Sequence, residues 1–329
     1  MKKKRLFQGA FLLLLIVGTI IVARQNSNAP YQVCEGTTFG TYYNITYQSS
    51  DDLEQEIIAA LNGVDASLSM FNKNSTIAKL NRGENVIVDN HLLYLFPRAM
   101  KVSETTEGAF DVTVGPLVNA WGFGFDDGKW LTDEEIDSLR QLVGYKTVHL
   151  NDRTITKDNP KTMIDLSAIA KGYGADVVAR ALDKAKVKNY MVEIGGEVVV
   201  KGVNEKGKKW RIGIQKPSLG KEQESTGFME VLPVTDCGIA TSGNYRNYFV
   251  KDGDIYAHTI DPRTGRPVQH DIISATVIAP ECCEADAYAT AFMVVGLEKA
   301  KEILSKQPQL HAYLIYLDED GEMKHWENI

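Results

Sequence analysis

The stretch Ala168-Ile-Ala-Lys-Gly-Tyr-Gly-Ala-Asp-Val-Val-Ala-Arg-Ala-Leu-Asp-Lys-Ala-Lys186, followed by Tyr190-Met-Val-Glu-Ile-Gly-Gly-Glu-Val-Val-Val200, sets the fold class. The first segment puts Ala, Val and Leu on one side of a helical repeat. The second is rich in β-branched residues and reads as a strand. Its two glycines mark a bulge or a place where a ligand meets backbone. Two further strand-like segments, Lys209–Gln215 and Gly227–Leu232, follow without a helix between them. One helix and then a run of strands is not the regular alternation of a doubly wound parallel sheet. It predicts an α+β fold, with mainly antiparallel sheets and packed helices.

The flanking sequence agrees. Thr41–Tyr47 alternates as a strand. Asp51–Ser69 has apolar residues at helical spacing (Leu53, Ile57, Leu61, Val64, Leu68) behind an acidic first turn. Short or medium helices are expected at Ser75–Asn81, Leu92–Glu107 and Asp133–Val143, the last with Thr132 as N-cap. A hairpin is expected over Thr147–Ile155, strands at Ile255–Thr259 and Ile272–Ala279, a helix at Ala285–Lys306 and a last strand at Ala312–Leu317. No linker divides residues 36–329, which are read as one globular unit.

The N-terminus is of another kind. Met1-Lys-Lys-Lys-Arg5 is basic, and Leu6–Ala23 is apolar apart from Gln8, Gly9, Gly18 and Thr19. That run is long for a signal core and sufficient for a spanning helix. The cationic cluster stays on the cytoplasmic side, so the remainder is exported. The expectation is an uncleaved inner-membrane anchor over residues 1–24, a linker over 25–35, and a domain over 36–329 on the periplasmic side. Ser27-Asn-Ala29 loosely resembles a cleavage site, but Pro30 follows it directly. Cys34 is too far downstream to be a lipoprotein cysteine. The four cysteines show no CxxC spacing, which leaves zinc and thioredoxin-like chemistry unsupported. A net charge of −7 over 329 residues argues against non-specific nucleic-acid binding.

Chemistry concentrates late in the chain. His258-Thr-Ile-Asp-Pro-Arg-Thr-Gly-Arg-Pro267 sets an imidazole, a carboxylate and an arginine around a turn. Ala285-Asp-Ala-Tyr-Ala-Thr290 sets Asp286 and Thr290 four residues apart, hence on one helix face. Hard oxygen ligands so presented suit Mg²⁺ or Ca²⁺. A base beside such a metal suggests phosphoryl chemistry. Three other segments carry weaker signals. Gly108–Gly124 offers Phe110, Trp121 and Phe123 to cover a planar ring, or merely a turn-rich core. Asp165-Leu-Ser-Ala-Ile-Ala-Lys-Gly-Tyr-Gly174 opens the long helix, where free N–H groups and Lys171 attract phosphate. Asp165 is there a cap or a ligand-binding carboxylate. Ala240–Arg246 reads as a small-residue turn with hydroxyls. Each has a bland reading; their joint order does not.

In that order the chain resembles the ApbE family of FAD:protein FMN transferases. The matching pieces are Phe39-Gly-Thr41, Phe71–Asn81, Gly108-Ala-Phe-Asp111 with Gly115–Gly124, Asp165–Tyr173, Gly195-Gly196, Thr241-Ser-Gly243, His258–Gly265 and Ala285–Thr290. The resemblance implies a T-fold-like domain and a Mg²⁺ site (Ca²⁺ being the alternative) from the side chains of Asp286 and Thr290 and the backbone carbonyl of Ala168. It implies FAD contacts from Phe39, Phe71, Ala109, Phe110, Asp111, Asp165, Lys171 and His258. FMN would pass from FAD to a threonine or serine hydroxyl of a target flavoprotein, releasing AMP. His258 is the candidate base, because its ordinary pKa lies near working pH. Asp261 orients it or stabilises the turn, and Lys171, with Arg263, offsets phosphate charge. The implied acceptors are exported flavoproteins, such as subunits of the sodium-pumping NADH:quinone oxidoreductase or its Rnf-type relatives. The alternatives are an FAD pyrophosphatase giving FMN and AMP, and a non-catalytic exported FAD-binding protein. Two departures stand out: no lipobox cysteine, and Phe39 where methionine is common before Gly-Thr.

Overall fold

Strand segments rich in Val, Ile and Tyr produce a sheet whose eight strands lie in chain order. The computed structural model describes residues 11–20, 22, 29–123, 130–217, 227–243, 248–251, 254–257, 259–268 and 271–329. The strands are β1 (Tyr31–Thr38), β2 (Thr41–Gln48), β3 (Tyr190–Ile194), β4 (Glu197–Lys201), β5 (Cys237–Gly243), β6 (Ile272–Ala279), β7 (His311–Leu317) and β8 (Met323–Glu327). Every neighbouring pair is antiparallel. The expected mainly antiparallel α+β arrangement is therefore present.

Several boundaries differ from the sequence reading, each for a local reason. Tyr190–Val200 is a tight hairpin rather than one bulged strand. Gly195 and Gly196 take φ of 61° and 105°, a left-handed turn that reverses the chain in two residues. The edge strand β1 begins at Tyr31, inside the segment read as linker, and pairs with β2 along its whole length. The run Ala285–Lys306 is two helices, because Gly296 at φ 77° ends the first and starts the second. Thr241–Gly243 is strand, not turn, since it pairs with β6 at Ser274–Thr276.

Helices cover one face of the sheet. They include α1 (Glu54–Leu68), α2 (Asn90–Thr105), α3 (Ser167–Lys184) and α4 (Cys282–Val295). Helix α4 is buried almost all round, between the sheet and the other helices, so its sequence shows little amphipathic pattern. Its N-terminal part and α3 pack closely because α3 carries Gly172. A Cβ there would lie 2.4 Å from the Cys282 carbonyl oxygen. The opposite face of the sheet is closed by a hairpin, Trp210–Gln215 with Phe228–Val234, which buries Trp210, Ile214 and Leu232 against Val198, Val200 and Ile239.

No side chain in α4's own flank caps its start. The cap comes from α3: Asp176 accepts the Cys282 and Cys283 N–H groups at 2.8 and 2.9 Å. Asp176→Ala is expected to leave both donors buried and unpaired, at a cost of about 1–3 kcal/mol in a urea titration. Burial pushes the Asp176 carboxyl up to about 6 from an ordinary 3.8. The native state then holds this proton more tightly than the unfolded chain. Its contribution is complete below pH 3.8 and is lost as pH rises through about 6. The Ala variant should lack that component of the pH slope.

At the N-terminus residues 11–20 are helical, with Leu14 and Leu13 74% and 66% exposed. No helix among the described residues is long and apolar enough to cross a membrane. The basic cluster Met1–Arg5 and Arg24 lie outside the described residues.

Candidate active site

The hairpin turn at Gly195-Gly196, the first turn of α3, the middle of α4 and the end of β5 converge on one cavity of about 340 Å³. Its wall is apolar, from Ala109, Phe110, Val114, Val118 and Phe123. Its floor is polar, from Asp165, Lys171, Glu197, Ser242, Asp286 and Thr290.

Each floor residue is placed by a local rule. Asp286 and Thr290 stand one turn apart on α4, as their spacing demands. Asp286 is buried, and its Oδ2 accepts the Gly172 N–H at 3.0 Å. That contact lies within one turn of Ala168, which also lines the cavity. Thr290 Oγ1 sits 3.2 Å from Ser242 Oγ. Lys171 Nζ reaches across to Glu197 Oε1 at 2.5 Å. Glu197 leads strand β4 immediately after the glycine turn, and its other oxygen, Oε2, is buried with no hydrogen-bond partner among the described residues.

The electrostatics follow from two buried carboxylates sharing one ammonium. Burial, then the Asp286 charge, pushes Glu197 up to about 7. Burial also raises Asp286 above the ordinary aspartate range, against the pull of Lys171. Burial disfavours charge on Lys171, but Asp286 and Glu197 together hold it above the usual lysine value. Lys171 is therefore a standing cation at the cavity floor.

Other expected residues divide. Asp165 lines the cavity while its Oδ1 accepts the Ser167 N–H at 2.8 Å, so it is both a turn former at the helix start and a cavity carboxylate. Asp111 also does two things. Its Oδ1 takes Thr113 N–H and Oγ1–H, its Oδ2 takes Tyr145 N–H, and burial raises its carboxyl above the ordinary range. Phe39, at φ 52°, is half-buried with its ring against Gly174, and it does not line the cavity. Phe71 is 75% exposed and also lies outside the cavity lining. Trp121 does not cover the cavity. It packs edge-on against Trp130 and donates its indole N–H to Gly265 O at 2.8 Å.

Asp261 sits in the turn, one of the two places expected for it. Its carboxylate is taken up by Arg263, whose Nε, Nη2 and backbone N–H all donate to it at 2.9 Å. Gly265 N–H closes the turn on Asp261 O at 2.8 Å. Asp261 and Arg263 thus brace the turn that presents Pro262 to the cavity, and neither lines it. His258 lies outside the described residues; its neighbour Thr259 lines the cavity.

Glu197 is the floor residue that sequence reasoning passed over. The available signal was an acidic residue opening an otherwise apolar strand, Glu-Val-Val-Val, directly after Gly-Gly. A carboxylate on an inward strand position needs a partner or a ligand.

This arrangement of sheet, helix pair and cavity is that of the flavin-transferase fold. "Flavin Transferase ApbE from Vibrio cholerae" superposes on it with a TM-score of 0.82 at 38% identity, over 91% of this chain and 97% of that one. The chain belongs to the ApbE family, whose sequence profile matches residues 39–314. Among curated relatives, "FAD:protein FMN transferase" of Vibrio cholerae is 39% identical over 320 residues, 94% of either chain. The protein of the same name from Haemophilus influenzae is 38% identical over 330 residues, covering 93% of this chain and 94% of its own.

Proposed function

We propose that this chain transfers FMN from FAD to a threonine or serine hydroxyl of a protein acceptor, with release of AMP. The observation that carries the reading is the cavity itself, in which an aromatic wall and a lysine-and-carboxylate floor stand side by side in an ApbE chain. The wall suits a flavin ring and the floor suits a diphosphate.

The donor set fits a hard divalent cation. Asp286, Thr290 and Ser242 present only oxygens, and two buried carboxylates share one lysine, leaving a net negative floor. Asp286, Thr290 and the Ala168 carbonyl would hold Mg²⁺, or Ca²⁺. Bound there, the cation would neutralise charge on the diphosphate and favour AMP as leaving group.

The chain's own residues do the rest. Lys171 offsets phosphate charge. Phe110 and Phe123 supply ring-sized apolar surface. The acceptor oxygen forms a bond to the FMN phosphorus, and the bond from that phosphorus to the bridging oxygen breaks. AMP departs with the bridging oxygen, and the hydroxyl proton passes to His258.

The test incubates the protein with FAD, Mg²⁺ and a candidate acceptor domain. Flavin bound covalently to the acceptor, with matching AMP, is the expected result. AMP without acceptor labelling marks a pyrophosphatase, and tight FAD binding without AMP marks a carrier. His258→Ala is expected to lower transfer about 10²–10⁴-fold while FAD still binds. Unchanged transfer removes His258 as the base.

The apolar run ahead of the domain is read as an inner-membrane anchor, with the domain on the periplasmic side and exported flavoproteins of the NADH:quinone oxidoreductase or Rnf type as acceptors. Support comes from the basic cluster Met1–Arg5 and the apolar run that follows it.

A further inference from the structure

We infer that Glu197 is a positioning residue, which holds the Lys171 ammonium in the cavity beside the cation site. This rests on the proposed transfer reaction and deepens it.

The problem Glu197 solves is electrostatic. A lysine and a divalent cation on the same diphosphate repel one another. Lys171 hangs on a flexible four-carbon stem, and nothing in its own helix fixes its head. With Asp286 given over to the cation, Lys171 would lose one of its two carboxylate neighbours. Glu197 remains. It grips Nζ at 2.5 Å from a different element, strand β4. Its own place is rigid, because the Gly195-Gly196 turn and the antiparallel pair Ile194↔Glu197 set its backbone.

The burial is what separates this pair from an ordinary surface salt bridge. Glu197 is 2% exposed and lines the cavity. Its Oε2 has no hydrogen-bond partner among the described residues. A fold that needed only a structural ion pair would satisfy both oxygens or replace the glutamate by an apolar residue. Keeping a half-satisfied carboxylate at the floor of a cavity marks a group retained for what enters that cavity.

Charge bookkeeping gives the same answer. Asp286 and Glu197 bring two negative charges, Lys171 one positive, and the cation two. Among these four groups the sum is a single positive charge spread over two fixed points, with Asp165 a further carboxylate on the same floor. Without Glu197 the lysine would be driven from the cation and toward solvent.

The test uses Glu197→Gln, which keeps the shape and one acceptor but removes the charge, together with Glu197→Asp and Lys171→Met. Circular dichroism and melting first confirm folding. For Glu197→Gln, KM for FAD should rise and FAD binding in the presence of Mg²⁺, read by flavin fluorescence, should weaken, each by about tenfold, the scale of one charge-assisted hydrogen bond, whereas metal-free binding, with Asp286 still beside Lys171 and no cation to repel it, should change less. The double variant Glu197→Gln/Lys171→Met should be no worse than Lys171→Met alone, since each removes the same interaction. Glu197→Asp should recover part of the loss. Wild-type KM and FAD binding in Glu197→Gln, or losses that simply multiply in the double variant, overturn the inference. If the unmutated protein gives neither acceptor labelling nor AMP, it is the transfer reading that fails instead.

Discussion

Replacing Asp286 by asparagine is expected to cut Mg²⁺-dependent transfer by at least about a hundredfold, the usual consequence of removing one fixed charge stabiliser from a reacting centre. The variant should fold. Asparagine can still accept the Gly172 N–H that Asp286 Oδ2 now receives at 3.0 Å. It also removes a buried charge that burial disfavours. Activity and stability are thus predicted to part company: turnover collapses while the melting temperature holds or rises. The check is a cation titration of AMP release alongside a thermal melt. Full activity at ordinary Mg²⁺ would take Asp286 out of the metal site.

The second large effect is expected from a methyl group. Gly172→Ala places a Cβ 2.4 Å from the Cys282 carbonyl oxygen, 2.7 Å from its carbon and 2.9 Å from Asp286 Cβ. Two of these are backbone atoms, so helices α3 and α4 must move apart. Overpacking of this kind costs about 1–3 kcal/mol. The catalytic penalty should be larger, because the same shift carries Asp286 away from Ala168 and Lys171. A misplacement near 1 Å is enough for about a hundredfold loss. Denaturant titration and the transfer assay, run on the same preparation, separate the two. A variant with native stability and native turnover would show that the two helices have slack that the close packing does not suggest.

How much of this was legible in the chain depends on how local each signal is. Asp286 and Thr290 were readable because one helical turn brings them together. Lys171 was readable from its place near a helix start. Glu197 was not, since its partner lies 26 residues earlier on another element and only the hairpin at Gly195-Gly196 aims it inward. Asp176 was hidden for the same reason: it caps a helix that starts 106 residues later. Trp121 is a ring-stacking residue by type, but the turn at Gly265 claims its N–H and its ring packs at right angles to Trp130. The class of fold was accessible because strand runs without intervening helices exclude regular alternation. The division at Gly296 was not, because the apolar pattern runs straight through a glycine whose φ only the tertiary packing sets.

The strands succeed one another across the sheet as they do along the chain, which puts the two terminal ones, Tyr31–Thr38 and Met323–Glu327, on the outer rims. Glu197 and Ser242 belong to the central pair, as far from either rim as the sheet allows. Thermal fraying begins where a strand has a neighbour on one side only. A tether or fusion pulling on either terminus would therefore peel the margin first and leave the reaction chamber intact.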